Sequence, residues 1–509
     1  MRIDMTPLVR PYFINLSRRC DRWEGHTAGL QQGVLRSLLR RGAASKPGMR
    51  HDFRLMAREA DAYGAYRREV PTVAYEELRR DVMRMIAGER DVLWPGVCRN
   101  FAQSSGTSGG KSKFIPVTHD SLRGNHYRGA ADAVAHYLRH NPGSRMFSGK
   151  GFILGGSFST QHFPGVDSSV RIGDLSATLI DRITPLANMV RVPDKVTALM
   201  PDWETKLPAL VEKARREHIT NISGVPSWFL TVLKRILEAE GKSRISEVWP
   251  DLEVFFHGGI SFEPYREEYR KLTEGNDMHF VETYNASEGF FAVQDDPSSH
   301  FMLLIIDRDV FYEFIPADSP DSEPVGAWEV EKGKVYEMLV SSSNGLWRYH
   351  LGDTVRVEQT DPVKIRIVGR TKSFINAFGE ELMEDNAERA IAAACAATGA
   401  TIRNYTAAPM YAAGERRGRH QWLVEWETAP RSADEFAECL DRELRKLNSD
   451  YDAKRMHTIF LDPPEIVAVP SGLFERWLSR AGTHKLGGQR KVPRLSNDRR
   501  IIEQLLALV

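Results

Sequence analysis

The chain has 509 residues, more than one hydrophobic core usually carries, so at least two domains are expected. Its 69 lysines and arginines stand against 68 acidic residues for a net charge of +1, which lacks the basic excess of a nucleic-acid or membrane-surface partner. Four scattered cysteines (Cys20, Cys98, Cys395, Cys439), no leader-like start and no run of about 18 apolar residues lead us to expect a cytoplasmic protein with free thiols and no membrane span.

Residues 1 to about 95 read as helical, with Leu35, Leu38 and Leu39 at helical spacing, and carry no evident chemistry. Further on, strands alternate with helices, most clearly from 207 to 289. Ile219 to Ser223 reads as a strand broken by Gly224-Val225-Pro226. A helix follows with an apolar stripe of Trp228, Phe229, Val232, Leu233, Ile236 and Leu237. Leu252 to Phe256 is a strand ending in His257-Gly258-Gly259. Another, Met278 to Val281, runs into Thr283-Tyr284-Asn285-Ala286-Ser287-Glu288-Gly289. Such alternation predicts an α/β fold with a parallel sheet, and ligands then sit outside the carboxyl ends of the strands. Residues 301 to 358 read as antiparallel strands with turns at Gly345 and Gly352. A domain boundary is placed near 369, before short strands and two helices, Glu384 to Ala397 and Ser432 to Leu447.

Five stretches carry potential chemistry. Ser104-Ser105-Gly106-Thr107-Ser108-Gly109-Gly110-Lys111 offers small residues, hydroxyls and a lysine suited to phosphate, but only three residues separate Gly106 from Gly110, which breaks the P-loop spacing. In Tyr284 to Glu288 an aromatic side chain can stack on a nucleobase and a carboxylate can hold Mg²⁺. Asp353, after Gly352, can accept from two ribose hydroxyls. Gly369-Arg370-Thr371-Lys372 and Gly487 to Arg494 place cations on glycine-rich loops. Taken singly, each also fits a structural reading: a core tyrosine, a turn aspartate, a basic surface. His257, His350 and His484 form no metal pattern, and no GxSxG elbow occurs.

In their order along the chain these motifs resemble the adenylate-forming superfamily of acyl-CoA synthetases, luciferases and adenylation domains. Within it the chain is similar to the Gretchen Hagen family of acyl-acid amido synthetases, on SSGTSGGKSKFIP at 104–116, FFHGGISFEPYR at 255–266, TYNASEGFFAVQ at 283–294, LWRYHLGDTVRV at 346–357, NSDYDAKR at 448–455 and GGQRKVPRL at 487–495. That resemblance implies a large N-terminal domain over 1–368, of mixed and parallel sheets flanked by helices with a β-barrel-like part. A small mobile α+β C-terminal domain over 369–509 would turn on a hinge at 369–372.

It also implies ATP and Mg²⁺ as cofactors. Ser104, Ser105, Gly106, Thr107, Ser108 and Lys111 would cradle phosphates, and Gly258 and Gly259 would lie beside the adenine. Tyr284 would flank the base, with Ser287 in the same motif; Glu288 would bind the metal and Asp353 the ribose. Arg370 and Lys372 would sit on the hinge, and Lys491 would reach the phosphates. Ala286, where plant members usually carry serine, and the segment after Arg370 depart from the plant pattern and point away from plant-hormone substrates.

The implied reaction adenylates a small carboxylic acid with loss of pyrophosphate and passes the acyl group to an amine, such as an amino acid. Lys491, Glu288 and Lys372 are the catalytic candidates and a monomer is the default. Alternatives are a CoA ligase or carrier-loading enzyme with a thiol acceptor, and a nucleotide-binding regulator without catalysis.

Overall fold

The computed structural model describes residues 4–104, 113–158, 169–260, 262, 265–370, 374–411, 417–456, 461–480 and 492–509. The chain divides into two compact units, one drawn from 1–104 and 113–371, the other from 372–509.

Twelve strands of the first unit form one sheet. Named in chain order with the rest of that unit's strands, they are β1 (Asn100–Ser104), β2 (Lys113–Pro116), β3 (Lys150–Ile153), β4 (Arg171–Gly173), β5 (Arg191–Val192), β6 (Ile219–Gly224), β7 (Val254–His257), β8 (His279–Ala286), β9 (Gly289–Val293), β10 (Met302–Leu304), β11 (Val310–Pro316), β12 (Val325–Gly326), β13 (Val335–Ser342), β14 (Leu346–Thr360) and β15 (Val363–Arg370). The sheet order is β12-β11-β13-β14-β15-β10-β9-β8-β7-β6-β3-β5, with β2-β1-β4 as a separate small sheet. From β5 to β8 neighbouring strands are parallel; from β8 outward they are antiparallel. The antiparallel part expected to resemble a barrel is thus one arm of the same sheet, and β8 is the strand at which its sense changes.

The parallel half is built from local signals that the sequence carries. All four residues of β7 are buried, as a central strand covered on both faces requires. The helix Pro226–Glu240 starts with proline at its first turn and stops at Gly241, whose φ of 62° caps it in the left-handed region. Its Phe229 lies 5.0 Å from Phe152 and 5.4 Å from Phe255, ring centroid to centroid, so the apolar stripe is core between helix and sheet. Burying such a side chain is worth about 1.5–3 kcal/mol.

The sense change follows from a short connection. Ala286 pairs with Gly289, leaving Ser287 and Glu288 as a two-residue hairpin turn, which only antiparallel strands accept. β8 therefore runs well past Val281, and the expected loop is a strand plus a tight turn. Gly352 likewise is no chain reversal. It sits inside β14 at φ 83°, beside a register irregularity against β13 between Glu337 and Leu339.

The second unit pairs two antiparallel strands, 401–410 and 419–428, with a parallel third, 465–469. The helices Glu384–Thr398 and Ala433–Leu447 belong to this unit. Asp441, Tyr451 and Arg455 form a buried network there: Arg455 donates to both oxygens of Asp441 at 2.6 and 2.7 Å, and the Tyr451 phenol donates to Oδ1 at 2.7 Å. Among the described residues no helix is long and apolar enough to cross a membrane, and all four cysteines are free.

Candidate active site

Register places the site. Ser223 is level with Ile153 and Phe256, and His257 is level with Gly224 and Glu282. β6 and β7 therefore end together, while β8 continues four residues further, to Ala286. Beyond Glu282 this overhang continues its pairing with β9, past the last β7 register pair, His257 with Glu282. Its other edge lies against Gly258. In a parallel sheet that changes sense, such a crevice at the carboxyl ends of the strands is where ligands bind.

Gly258 and Gly259 are fixed as glycines. A Cβ at Gly258 would run into the carbonyl oxygen of Thr283, and Gly259 has φ 83°. The Thr283 hydroxyl donates to the His257 carbonyl at 3.0 Å, tying the overhang to the end of β7. His257 is buried with its ring stacked on Phe262 at 4.1 Å; burial, with help from Arg266, holds its pKa down to about 3, so it stays neutral.

Tyr284 stands on the overhang and is buried. Its phenol donates to Asp353 Oδ2 at 2.5 Å, which brings together two residues singled out separately in the sequence. Asp353 in turn is level with Arg370 across the β14–β15 pair, so the proposed ribose and hinge residues are adjacent in backbone. Glu288, 8% exposed, is the second residue of the two-residue turn that follows β8.

Two clamps hold that hairpin. On one side the Asn125 amide accepts from Phe290 N at 2.6 Å and donates to the carbonyls of Phe290 and Arg308, both at 2.9 Å. Asn125 and His126 lie on a single π-turn, Leu122–His126, a local distortion that often marks functional sites. His126 Nδ1 is 3.3 Å from Asn285 Oδ1, and burial lowers its pKa to about 4, so the ring is neutral and donates to Asn285. On the other side Asn344 Nδ2 donates to the Glu288 carbonyl at 2.9 Å.

Ser104 ends β1 opposite Lys113 of β2. Ser105, Gly106, Thr107, Ser108, Lys111, Lys372 and Lys491 lie outside the described residues, as do the side chains of Ser104 and Arg370.

The sequence reading missed a second Gly-Gly rim. β3 runs level with β6, and Leu154 N donates to Ser223 O at 3.0 Å, so Gly155 and Gly156 reach the same edge as Gly224. Lys206, buried, donates from Nζ to the carbonyls of Gly155 and Gly156 at 2.8 and 3.2 Å. The signal was available: Gly155-Gly156 follows the apolar Gly151-Phe152-Ile153-Leu154 just as Gly258-Gly259 follows β7.

Comparison with known proteins fits this geometry. Residues 18–278, more than half of the chain, match the GH3 family N-terminal domain. The chain belongs to the GH3 family. Residues 303–370 match the GH3 family central domain and 385–500 the GH3 family C-terminal domain; Gly258, Gly259 and Asp353 fall inside the matched stretches, and the β8–β9 hairpin lies between the first and the second. Relatives include the indole-3-acetic acid-amido synthetase GH3.4 of Arabidopsis thaliana, 23% identical over 84% of this chain and 83% of the relative. The jasmonoyl–L-amino acid synthetase GH3.5 of Oryza sativa subsp. japonica is 32% identical over 22% of each chain. Among solved structures, the acyl acid amido synthetase AtGH3.15 in complex with 2,4-DB superposes with a TM-score of 0.61 at 18% identity, covering 97% of this chain and 95% of that one. A 2-hydroxyisobutyryl-CoA ligase with 2-HIB-AMP and CoA gives 0.54 at 12% identity, covering 94% and 91%. The fold is therefore that of the adenylate-forming enzymes, a large mixed α/β part followed by a smaller C-terminal one.

Proposed function

We propose that this GH3-family chain is an ATP-dependent acyl-acid amido synthetase. It adenylates a small carboxylic acid, releasing pyrophosphate, then transfers the acyl group to an amine, such as an amino acid, and releases AMP. The observation that carries the reading is the Tyr284–Asp353 bond at the strand crevice of a GH3-family fold. It brings a residue suited to a base next to one suited to a ribose, which supports the reading.

The N-terminal part binds ATP and the acid; the C-terminal part, from the hinge at 369–372, moves between the two half-reactions. In the first, the acid's carboxylate oxygen attacks the α-phosphorus and pyrophosphate leaves. No covalent bond to the protein is needed, because the acyl-AMP is itself the activated species. The chain's contribution is positioning and charge neutralisation. Gly258, Gly259 and Tyr284 bracket the adenine, with Ser287 beside them. Asp353 takes the ribose hydroxyls, and Ser104 through Lys111 the phosphates, with Lys491 adding a positive charge. Arg370 and Lys372 set the hinge.

Mg²⁺ fits the chemistry of this corner. Glu288 supplies a carboxylate, the hard oxygen donor that magnesium takes, on a turn whose backbone carbonyl accepts from Asn344 Nδ2 at 2.9 Å. When bound there, the ion neutralises phosphate charge. In the second half-reaction a neutral amine attacks the acyl carbon; movement about the hinge withdraws Lys491 and admits it.

A thiol acceptor is the second reading, because the CoA ligase shares the fold. The deciding experiment supplies purified protein with ATP, Mg²⁺, a panel of aryl, indolyl and fatty acids, and pooled amino acids or CoA. Pyrophosphate release with a product mass of acid plus amine minus water supports the proposal; a thioester and no amide supports the alternative. Free cysteines and a net charge of +1 support a cytoplasmic protein without nucleic-acid or membrane partners, read here as a monomer.

A further inference from the structure

Among the described residues, three buried polar atoms around the Ser287–Glu288 turn have no hydrogen-bond partner: His126 Nε2, Ser343 Oγ and Asn344 Oδ1. Leaving such an atom unpaired costs about 1–3 kcal/mol, and folded proteins keep few of them. Two of the three are consecutive residues on one turn, and both of those residues are 0% exposed.

That turn, 343–345 between β13 and β14, is held rigidly. Thr118 Oγ1 donates to the Ser343 carbonyl at 2.6 Å, and Asn344 Nδ2 donates to the Glu288 carbonyl at 2.9 Å. Gly345 has φ 86° and packs so closely on the backbone of Leu93 that a Cβ would not fit. A carbonyl oxygen only accepts, so the Asn344 amide has one possible orientation here, with Nδ2 on Glu288 and Oδ1 turned away from that bond. The side chain thus fixes the backbone of the proposed metal residue with one atom and leaves an oxygen acceptor unused beside it.

We propose that Asn344 is a positioning residue for the cation at Glu288: Nδ2 holds the turn, and Oδ1, with Ser343 Oγ, accepts hydrogen bonds from water of the Mg²⁺ shell. Magnesium dehydrates reluctantly and keeps several waters, whose hydrogens need acceptors, and a neutral amide supplies one without adding charge. Residues that orient a metal's ligands from behind are typically worth 10–100-fold in metal affinity. The proposal rests on the reading of Glu288 as the metal residue.

The test is calorimetric titration of the full-length protein with ATP, once in EDTA and once in Mg²⁺. It compares wild type, Asn344→Ala, Ser343→Ala and Glu288→Gln. Wild type is expected to bind ATP more tightly with Mg²⁺. Asn344→Ala should lose about tenfold or more of that gain while its affinity in EDTA is unchanged, which a general loosening of the fold would not produce. Ser343→Ala should lose a smaller part. Should Asn344→Ala fail to fold, Asn344→Ser and Ser343→Ala are read in its place. A full Mg²⁺ gain in the Asn344 and Ser343 variants, with the gain lost in Glu288→Gln, overturns this inference alone. A full gain in Glu288→Gln, or none in wild type, overturns the metal reading and this inference with it.

Discussion

The phenol of Tyr284 and the carboxylate of Asp353, 69 residues apart in sequence, meet at 2.5 Å. The contact joins the overhanging end of β8 to the middle of β14, although three strands, β15, β10 and β9, stand between them in the sheet order. Both side chains are buried, so the bond is little screened by water.

Because Asp353 is the proposed acceptor for the ribose hydroxyls, Asp353→Ala should weaken ATP binding by roughly 10–100-fold, the scale of hydrogen bonds to a charged group. Tyr284→Phe keeps the ring and removes only the hydroxyl that orients Asp353. It should cost about fivefold. Calorimetry with ATP distinguishes them: equal losses in the two variants would mean that the phenol, not the carboxylate, reaches the nucleotide.

Asn125 clamps the hairpin with three hydrogen bonds to backbone. Asn125→Ala would leave buried backbone groups without partners and should lower stability by about 2 kcal/mol or more. Asn125→Asp should not rescue it, since an ionised carboxylate cannot donate to the carbonyls of Phe290 and Arg308. Urea denaturation followed by intrinsic fluorescence reads both variants, and a stable Asp variant would contradict the donor assignment.

The buried pair of Arg348 and Glu313 shows what sequence reading could not reach. Arg348 belongs to the Trp347-to-Asp353 motif, singled out for its aspartate. Yet Arg348 donates to both Glu313 oxygens at 2.9 Å and to the carbonyls of Arg67 and Val70, with φ 47°. Its task is to pin β14 to β11 and to the helix Ala62–Glu69. Glycines after apolar strands revealed the rim, because strand ends and tight approaches are local. Partners hundreds of residues away, the overhang of β8 and the in-strand Gly352 depend on register, which local composition does not encode. Arg348→Ala should cost about 3–5 kcal/mol by leaving Glu313 buried and uncompensated, while the double change to a hydrophobic pair should recover much of it. A single-mutant loss under 1 kcal/mol in the same denaturation assay would argue that water reaches Glu313.

Three buried histidines set an acid limit. Burial lowers His257 to about 3 and His126 and His136 to about 4, from an ordinary value of 6.5. Their folded pKa values lie below the unfolded one, so the unfolded chain binds more protons in between. Stability is full above pH 6.5 and is lost as pH falls from 6.5 toward 4. His257→Phe keeps a ring between Phe255 and Phe262, with Arg266 nearby. It should flatten the fall of Tm with pH in that window; an unaltered slope would show that His257 is already protonated in the folded state.

Lys491 is the residue whose role the two-step mechanism tests most sharply. The segment that follows it is anchored in the second unit: Thr406 Oγ1 donates to the Pro493 carbonyl at 2.7 Å, Arg494 donates to Asn404 Oδ1 at 2.5 Å, and Val492 is buried. The proposed mechanism needs Lys491 in one half-reaction and withdraws it for the other. Lys491→Ala should therefore slow acid-dependent pyrophosphate exchange by roughly 10² or more, the scale of losing one charge stabiliser. Amide formation from supplied acyl-AMP should change little, because no pyrophosphate leaves in that step. Loss of both half-reactions to the same degree would instead place Lys491 in nucleotide binding throughout the cycle, and untouched exchange would remove it from the reaction.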